Sequence, residues 1–250
     1  MRHIGIAGTL AALAMVTAGC GSAPPTTSGA VPDSAGGSHL SMAQFIPTVT
    51  QAVAGARSVH TELRSARGQK KTVADADVSF TSLGSLRMTY TDELGVFNSP
   101  SSVETEIRLL ERQAFIKGKG TSGKYAVIQG DSSRSINARA LRQMRADMNP
   151  TQDLAPLRKG MTKLTYLGLV AGDGLYMGHY RATVNAKRAF GIAAKSQASA
   201  TFTCDVLLDA ENRPRRLTYE VNGLSVDISY ADWGKRIRVD KPGPKERLTS

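Results

Sequence analysis

Arg215-Arg216-Leu217-Thr218-Tyr219-Glu220-Val221-Asn222-Gly223-Leu224-Ser225-Val226-Asp227-Ile228-Ser229-Tyr230 reads as two strands, Arg215 to Val221 and Leu224 to Tyr230, joined by Asn222-Gly223. Asn-Gly suits the positive φ angles of a two-residue type I′ turn, so these strands are antiparallel neighbours. Period-two patterning extends outward from this hairpin. Val59, Thr61 and Leu63 alternate with His60, Glu62 and Arg64, and Ala74, Ala76, Val78 and Phe80 alternate with Asp75, Asp77 and Ser79. Leu86, Met88 and Tyr90 follow, then Val103, Thr105, Ile107 and Leu109 against Glu104, Glu106 and Arg108. Leu164 to Val170, Tyr176 to Val184, Ala200 to Leu208 and Arg236 to Val239 complete the strand candidates, with a turn at Gly172-Asp173-Gly174. One wet face and one buried face mark an antiparallel sheet.

Three stretches break that period. Ser41 can cap a helix whose stripe is Met42, Phe45, Ile46, Val49 and Val53, with Pro47 inside it and an end near Arg57. Ser135 to Met148 reads as a second helix, with Ile136, Ala140, Leu141, Met144 and Met148 on one side and Arg139, Arg142 and Arg145 on another. Asn149-Pro150 ends it, Thr151 to Lys159 can add a short helical turn, and Ala186 to Lys195 is a third excursion. Ten or eleven strands with two or three helices argue for an α+β fold around one large antiparallel sheet. A sheet of that size curls. The buried face mixes bulky Phe80, Met88, Ile107, Phe202 and Val206 with small Ala74, Ala76, Gly178, Ala182 and Cys204. Either helix side chains fill the space above the small residues or a guest does. The candidate ligand-facing set is Ala76, Val78, Phe80, Met88, Gly178, Ala182, Phe202 and Cys204.

The N-terminus speaks for export. Met1-Arg2-His3 precedes an apolar run from Ile4 to Ala18, long enough for a signal-peptide core and short for a bilayer span. Val16-Thr17-Ala18-Gly19-Cys20 resembles a bacterial lipobox, with Thr17 in the place of the usual leucine. By that resemblance residues 1–19 are a signal peptide and Cys20 is lipidated; a plain secretory signal with an incidental cysteine is the alternative. Gly21 to Ser38 is almost wholly Gly, Ser, Thr, Pro and Ala, too poor in apolar surface to offset ordering entropy, so residues 20–39 are expected to act as a tether. Residues 40–250 then form one domain.

The net charge of +11 falls to +10 once Arg2 is removed with the leader. A basic surface gains from anionic headgroups. The triplet Arg139, Arg142 and Arg145 is the candidate membrane-facing patch, with an ordinary solvated helix face as its rival reading. Nucleic acid is the other usual partner of a basic chain, and export argues against it. Cys204 has no partner once Cys20 is committed to lipid, and its β-like surroundings suit a small buried side chain. Gly118-Lys119-Gly120-Thr121-Ser122-Gly123-Lys124-Tyr125 approaches a phosphate-binding loop, but Tyr125 replaces the required hydroxyl residue and a strand follows instead of a helix; a hairpin loop is the reading. His39, His60 and His179 show no metal-ligand spacing, there is no Gly-x-Ser-x-Gly elbow, and Asp75 with Asp77 reads as a solvated strand face. No catalytic residue, metal or cofactor is expected.

Tyr180-Arg181-Ala182-Thr183-Val184, the run Asp205 to Leu217, and Tyr230-Ala231-Asp232-Trp233-Gly234-Lys235-Arg236-Ile237-Arg238-Val239 occur in an order that resembles the actinobacterial LppX/LprG lipoproteins, relatives in fold of the LolA/LolB lipoprotein carriers. Ala114 to Gly118 and Gly123-Lys124-Tyr125 fit the same pattern, with Tyr125 where tryptophan is common. The resemblance implies a half-open antiparallel β-barrel with helices on its concave face. It also implies a non-enzymatic, monomeric protein that is anchored outside the cytoplasmic membrane. Such a protein would hold the acyl chains of a lipid or lipoglycan and carry them across the envelope. The alternative is a sensor or accessory lipoprotein that binds another envelope protein. A continuous interior cavity favours carriage, whereas a filled core with an exposed apolar patch favours partner binding.

Overall fold

Eleven strands pair into one sheet in a computed structural model, which describes residues 39–248 apart from 81–83, 98–99, 111–112, 130–142, 144–145, 147–148, 173 and 192–199. The elements are α1 (Met42–Ala56), β1 (Ser58–Arg67), β2 (Lys70–Ser79), β3 (Leu86–Asp92), β4 (Ser101–Leu110), β5 (Gln113–Lys117) and β6 (Ala126–Gln129). After a 3-10 turn at Pro150–Gln152 come α2 (Ala155–Gly160), β7 (Met161–Gly172), β8 (Leu175–Asn185), α3 (Ala186–Phe190), β9 (Thr201–Leu208), β10 (Pro214–Val221) and β11 (Leu224–Ala231). The spatial order is β6-β5-β4-β3-β2-β1-β11-β10-β9-β8-β7. Two antiparallel meanders, β1–β6 and β7–β11, are thus sealed to one another by the β1–β11 pair, His60 opposite Ala231 through Ala66 opposite Ser225. Strands β6 and β7 are left as edges, so the sheet is not a closed barrel.

Helix α1 starts where the sequence places it. The Gln44 side-chain carbonyl accepts from the Ser41 backbone N–H at 3.1 Å and from its hydroxyl at 2.7 Å. Phe45, Val49 and Val53 are fully buried, and the helix runs through Pro47 to a left-handed cap at Arg57, φ 65°. The Asn222-Gly223 turn has φ 47° and 65°, as a type I′ hairpin needs. The near-P-loop is a hairpin loop between β5 and β6.

Two strand readings require correction. Val103 is 46% exposed because the β3–β4 register shifts between Tyr90 and Asp92 and turns it out of the ladder, while Glu106, in register opposite Thr89 and Lys117, is buried on the outer face among Arg108, Lys117 and Tyr125. Arg236 to Val239 is not a strand. That stretch crosses the outer face, where the Ser58 hydroxyl donates to the Lys235 carbonyl and Arg108 donates to the Asp240 carbonyl. The helical excursion expected over Ala186 to Lys195 is helical to Phe190 and stops at Gly191, φ 66°. The helix expected over Ser135 to Met148 falls almost wholly outside the described residues, and so do Arg139, Arg142, Arg145 and Cys20; Gln143 and Ala146 are helical.

Candidate functional site on the concave face

Register alone shows which side chains share the inner face. Directly opposed residues of antiparallel strands point the same way. One row crosses the sheet as Tyr166, Tyr180, Val206, Leu217, Ile228, Leu63, Ala74 and Tyr90. The next row runs Ala182, Cys204, Tyr219, Val226, Ser65 and Thr72. Ala76 and Val78 follow Thr72 and Ala74 at two-residue steps, and Met88 stands opposite Ala76. Gly178 stands opposite Leu208, two steps from Tyr180, and Phe202 opposite Val184. Seven of the eight sequence candidates therefore lie on one face and are buried. Phe80, just past β2, packs partly buried against the same core.

The described helical pieces sit on this side. Phe45 of α1 meets Tyr180 at 5.1 Å between ring centroids, and Phe190 of α3 stacks on Phe202 at 5.5 Å. Leu154 and Leu157, around the start of α2, are buried in the same cluster. Coverage is uneven. Ala182 and Val206 are fully enclosed, while Leu63, Tyr90 and Ile116 on the β1–β5 side stay partly exposed. These are separate, partly exposed apolar side chains of the inner face, and Leu164, Tyr166 and Tyr219 on the β7–β10 side are partly exposed as well.

Polar groups interrupt the apolar surface: Ser65 and Thr72 in the second row, Thr61, and a buried acid. The Tyr230 hydroxyl donates to Asp153 Oδ2 at 2.8 Å, across 77 residues of chain. The carboxyl is enclosed even though Asp153 as a residue keeps some exposure, and burial pushes its pKa from 3.8 up to about 7, with the Tyr230 bond pulling the other way. Thr61 stands opposite both Tyr230 and Ala76, and its buried hydroxyl has no hydrogen-bond partner. Asp153, Tyr230 and Thr61 were not singled out by pattern. The available signal was a lone acid, Asp153, immediately before the apolar run Leu154-Ala155-Pro156-Leu157. Burial pushes the neighbouring Cys204 thiol far up, so it is neutral and unsuited to nucleophilic work.

The outer face carries the ion pairs. Glu106 accepts from Arg108 at 2.8 Å and lies 3.2 Å from Lys117. Burial would raise its pKa, but hydrogen bonds from Tyr125, Arg108 and Lys117 outweigh it and hold the carboxyl at about 2. His60, Glu62 and Asp75 offer ligand atoms within 4.8 Å of one another. However, His60 Nδ1 lies 3.0 Å from Asp77 and Nε2 3.5 Å from Asp75. Burial lowers the His60 pKa, yet the Asp77 bond and the charges of Asp75, Asp77 and Glu62 raise it overall. Both ring nitrogens thus already face carboxylates, Nδ1 at hydrogen-bond distance from Asp77, so the cluster reads as an ion-pair network on the outer face.

No family profile matches the sequence, and no curated protein matches it. In fold the chain is similar to LprF from Mycobacterium bovis, with a TM-score of 0.54 at 17% identity over 80% of this chain and 96% of LprF. It is likewise similar to the Mycobacterium tuberculosis lipoprotein LppX, with a TM-score of 0.51 at 14% identity over 80% of this chain and 98% of LppX. The resemblance seen in the strand-and-turn signals thus holds at the level of the fold.

Proposed function

We propose that the protein is an exported lipoprotein, anchored through Cys20, whose concave face holds the acyl chains of a lipid or lipoglycan and carries them across the envelope. The observation that supports this most is the predominantly apolar inner face, on which Leu63, Tyr90 and Ile116 remain partly exposed. An acyl chain laid on that face gains ~25 cal/mol per Å² withdrawn from water, with no covalent chemistry required. Among the described residues no helix is long and apolar enough to cross a membrane; in this reading the lipid on Cys20 supplies the attachment. Native mass spectrometry of the chain purified from its own membrane tests the reading: a bound diacyl mass is expected, together with uptake of a fluorescent fatty-acyl probe by the emptied protein. A chain that carries no lipid and takes up no probe is a partner-binding lipoprotein instead. Cys20→Ala should leave an unprocessed precursor or release the protein from membranes; a mature, acylated Cys20→Ala protein in the membrane fraction overturns the anchor.

A further inference from the structure

We infer that the β7–β8 hairpin is a bilayer-docking surface, seated in the interfacial layer of a lipid membrane and continuous with the concave face. Eight large apolar residues are exposed among the described residues, and four of them gather here: Leu167 (46%), Leu169 (37%), Leu175 (43%) and Tyr176 (41%). Single exposed apolar residues are ordinary, but a cluster is not. Between Leu164 and Gly178 the sequence has one charge, Asp173. Strand β7 is also an edge of the sheet, so its side away from β8 pairs with no other strand of the sheet.

The geometry selects a bilayer over a folded partner. Leu169 stands opposite Gly178, and Ala171 opposite Tyr176, so Leu169 and Tyr176 lie on the concave side. Leu175, opposite Gly172, lies on the other side. A flat protein partner covers one side of a hairpin, whereas an interfacial lipid layer surrounds both. Tyr176 has the apolar ring and polar tip that settle at the headgroup level. The net charge of +10 that the chain keeps after loss of Arg2 with the leader complements anionic lipid.

The path of the chain points the same way, and this step rests on the Cys20 anchor proposed above. Leu40 N–H donates to the Tyr180 hydroxyl at 3.0 Å, and the His39 ring meets Tyr166 at 4.8 Å between centroids. The polypeptide thus enters the fold beside the middle of β7, next to Leu167. Eighteen residues separate Cys20 from His39. An anchor on Cys20 therefore tethers the domain at the β7 edge, where the described chain enters the fold. An acyl chain leaving the bilayer would meet Leu169 and Tyr176 first and Gly178 next, already on the inner face.

The test uses the full chain as its exporting host processes it, mixed with vesicles of phosphatidylglycerol and phosphatidylcholine brominated along the acyl chains. Leu175→Trp should give blue-shifted emission that the bromines quench. Val103→Trp, an exposed site on β4, should give emission that is not quenched; the native Trp233 is buried and contributes a constant background. Absence of quenching at position 175 overturns the proposal. So does a dimer that Leu169→Lys dissociates, since a second copy then covers the patch. The mass of the N-terminal peptide reports Cys20 acylation separately: quenching with an unmodified Cys20 keeps the hairpin surface and removes the anchor, and acylation without quenching does the opposite.

Discussion

Asp153 is where a single side chain sets a measurable property of the whole protein. Its carboxyl has a pKa near 4 in the unfolded chain and about 7 in the fold, because burial disfavours the charged form. The folded state therefore holds the proton more tightly. The stability this group permits is full below pH 4 and is lost as pH rises through about 7. At about 1.4 kcal/mol per pKa unit the loss is of order 1–4 kcal/mol. Asp153→Asn keeps an acceptor for Tyr230 and removes the titration. Its melting temperature should exceed the parent's at pH 8 and approach it at pH 5, as thermal unfolding across that range will read. A parent whose stability is flat from pH 5 to 8 contradicts the burial of this acid.

Strand β4 and the C-terminal segment form a unit on the outer face, and here element-level physics runs opposite to Asp153. Lys241 and Arg247 lie over the Phe115 ring at 5.7 and 5.5 Å, and Tyr125 pairs with Arg247 as an isolated bridge. Glu106 beneath Tyr125 has a depressed pKa, so its contribution is present above about 4.5 and is lost as pH falls toward about 2. Glu106→Gln should cost roughly 1.5–3 kcal/mol near neutrality, the range of hydrogen bonds to charged groups, and the difference from the parent should shrink in acid. Urea titrations at pH 7 and pH 3 check both statements. This unit also marks where sequence reading ends. Alternation finds β2 and β9 because each buries one face along nearly its whole length, and Asn222-Gly223 declares its own turn. Val103 and Arg236 to Val239 are misread because a register shift and a crossing segment decide their surroundings, and neither leaves a local period. The inner-face candidates are legible from alternation, but which of them stay uncovered depends on where the helices rest. Asp153 escapes for the same reason, its partner being 77 residues away.

Across the whole molecule, two meanders joined at β1–β11 carry one apolar face over eleven strands, and the described helical pieces cover it unequally. This asymmetry separates carriage from a filled core by two substitutions of the same kind. Ala182 is fully enclosed, next to Cys204 on the β8–β9 side. Ala182→Trp overpacks that region and should cost roughly 1–3 kcal/mol. Leu63 lies between Ile228 and Ala74 on the same face and is partly exposed. Leu63→Trp has room to lie along the partly exposed inner face, so it should leave the melting temperature nearly unchanged while abolishing uptake of a fluorescent fatty-acyl probe. The pair is informative because charges and strand hydrogen bonds are untouched in both. Lost uptake with retained stability at Leu63, beside lost stability at Ala182, places the guest on the β1–β5 side. If Leu63→Trp takes up the probe as the parent does, acyl chains do not use that part of the face and the carrier reading loses its site.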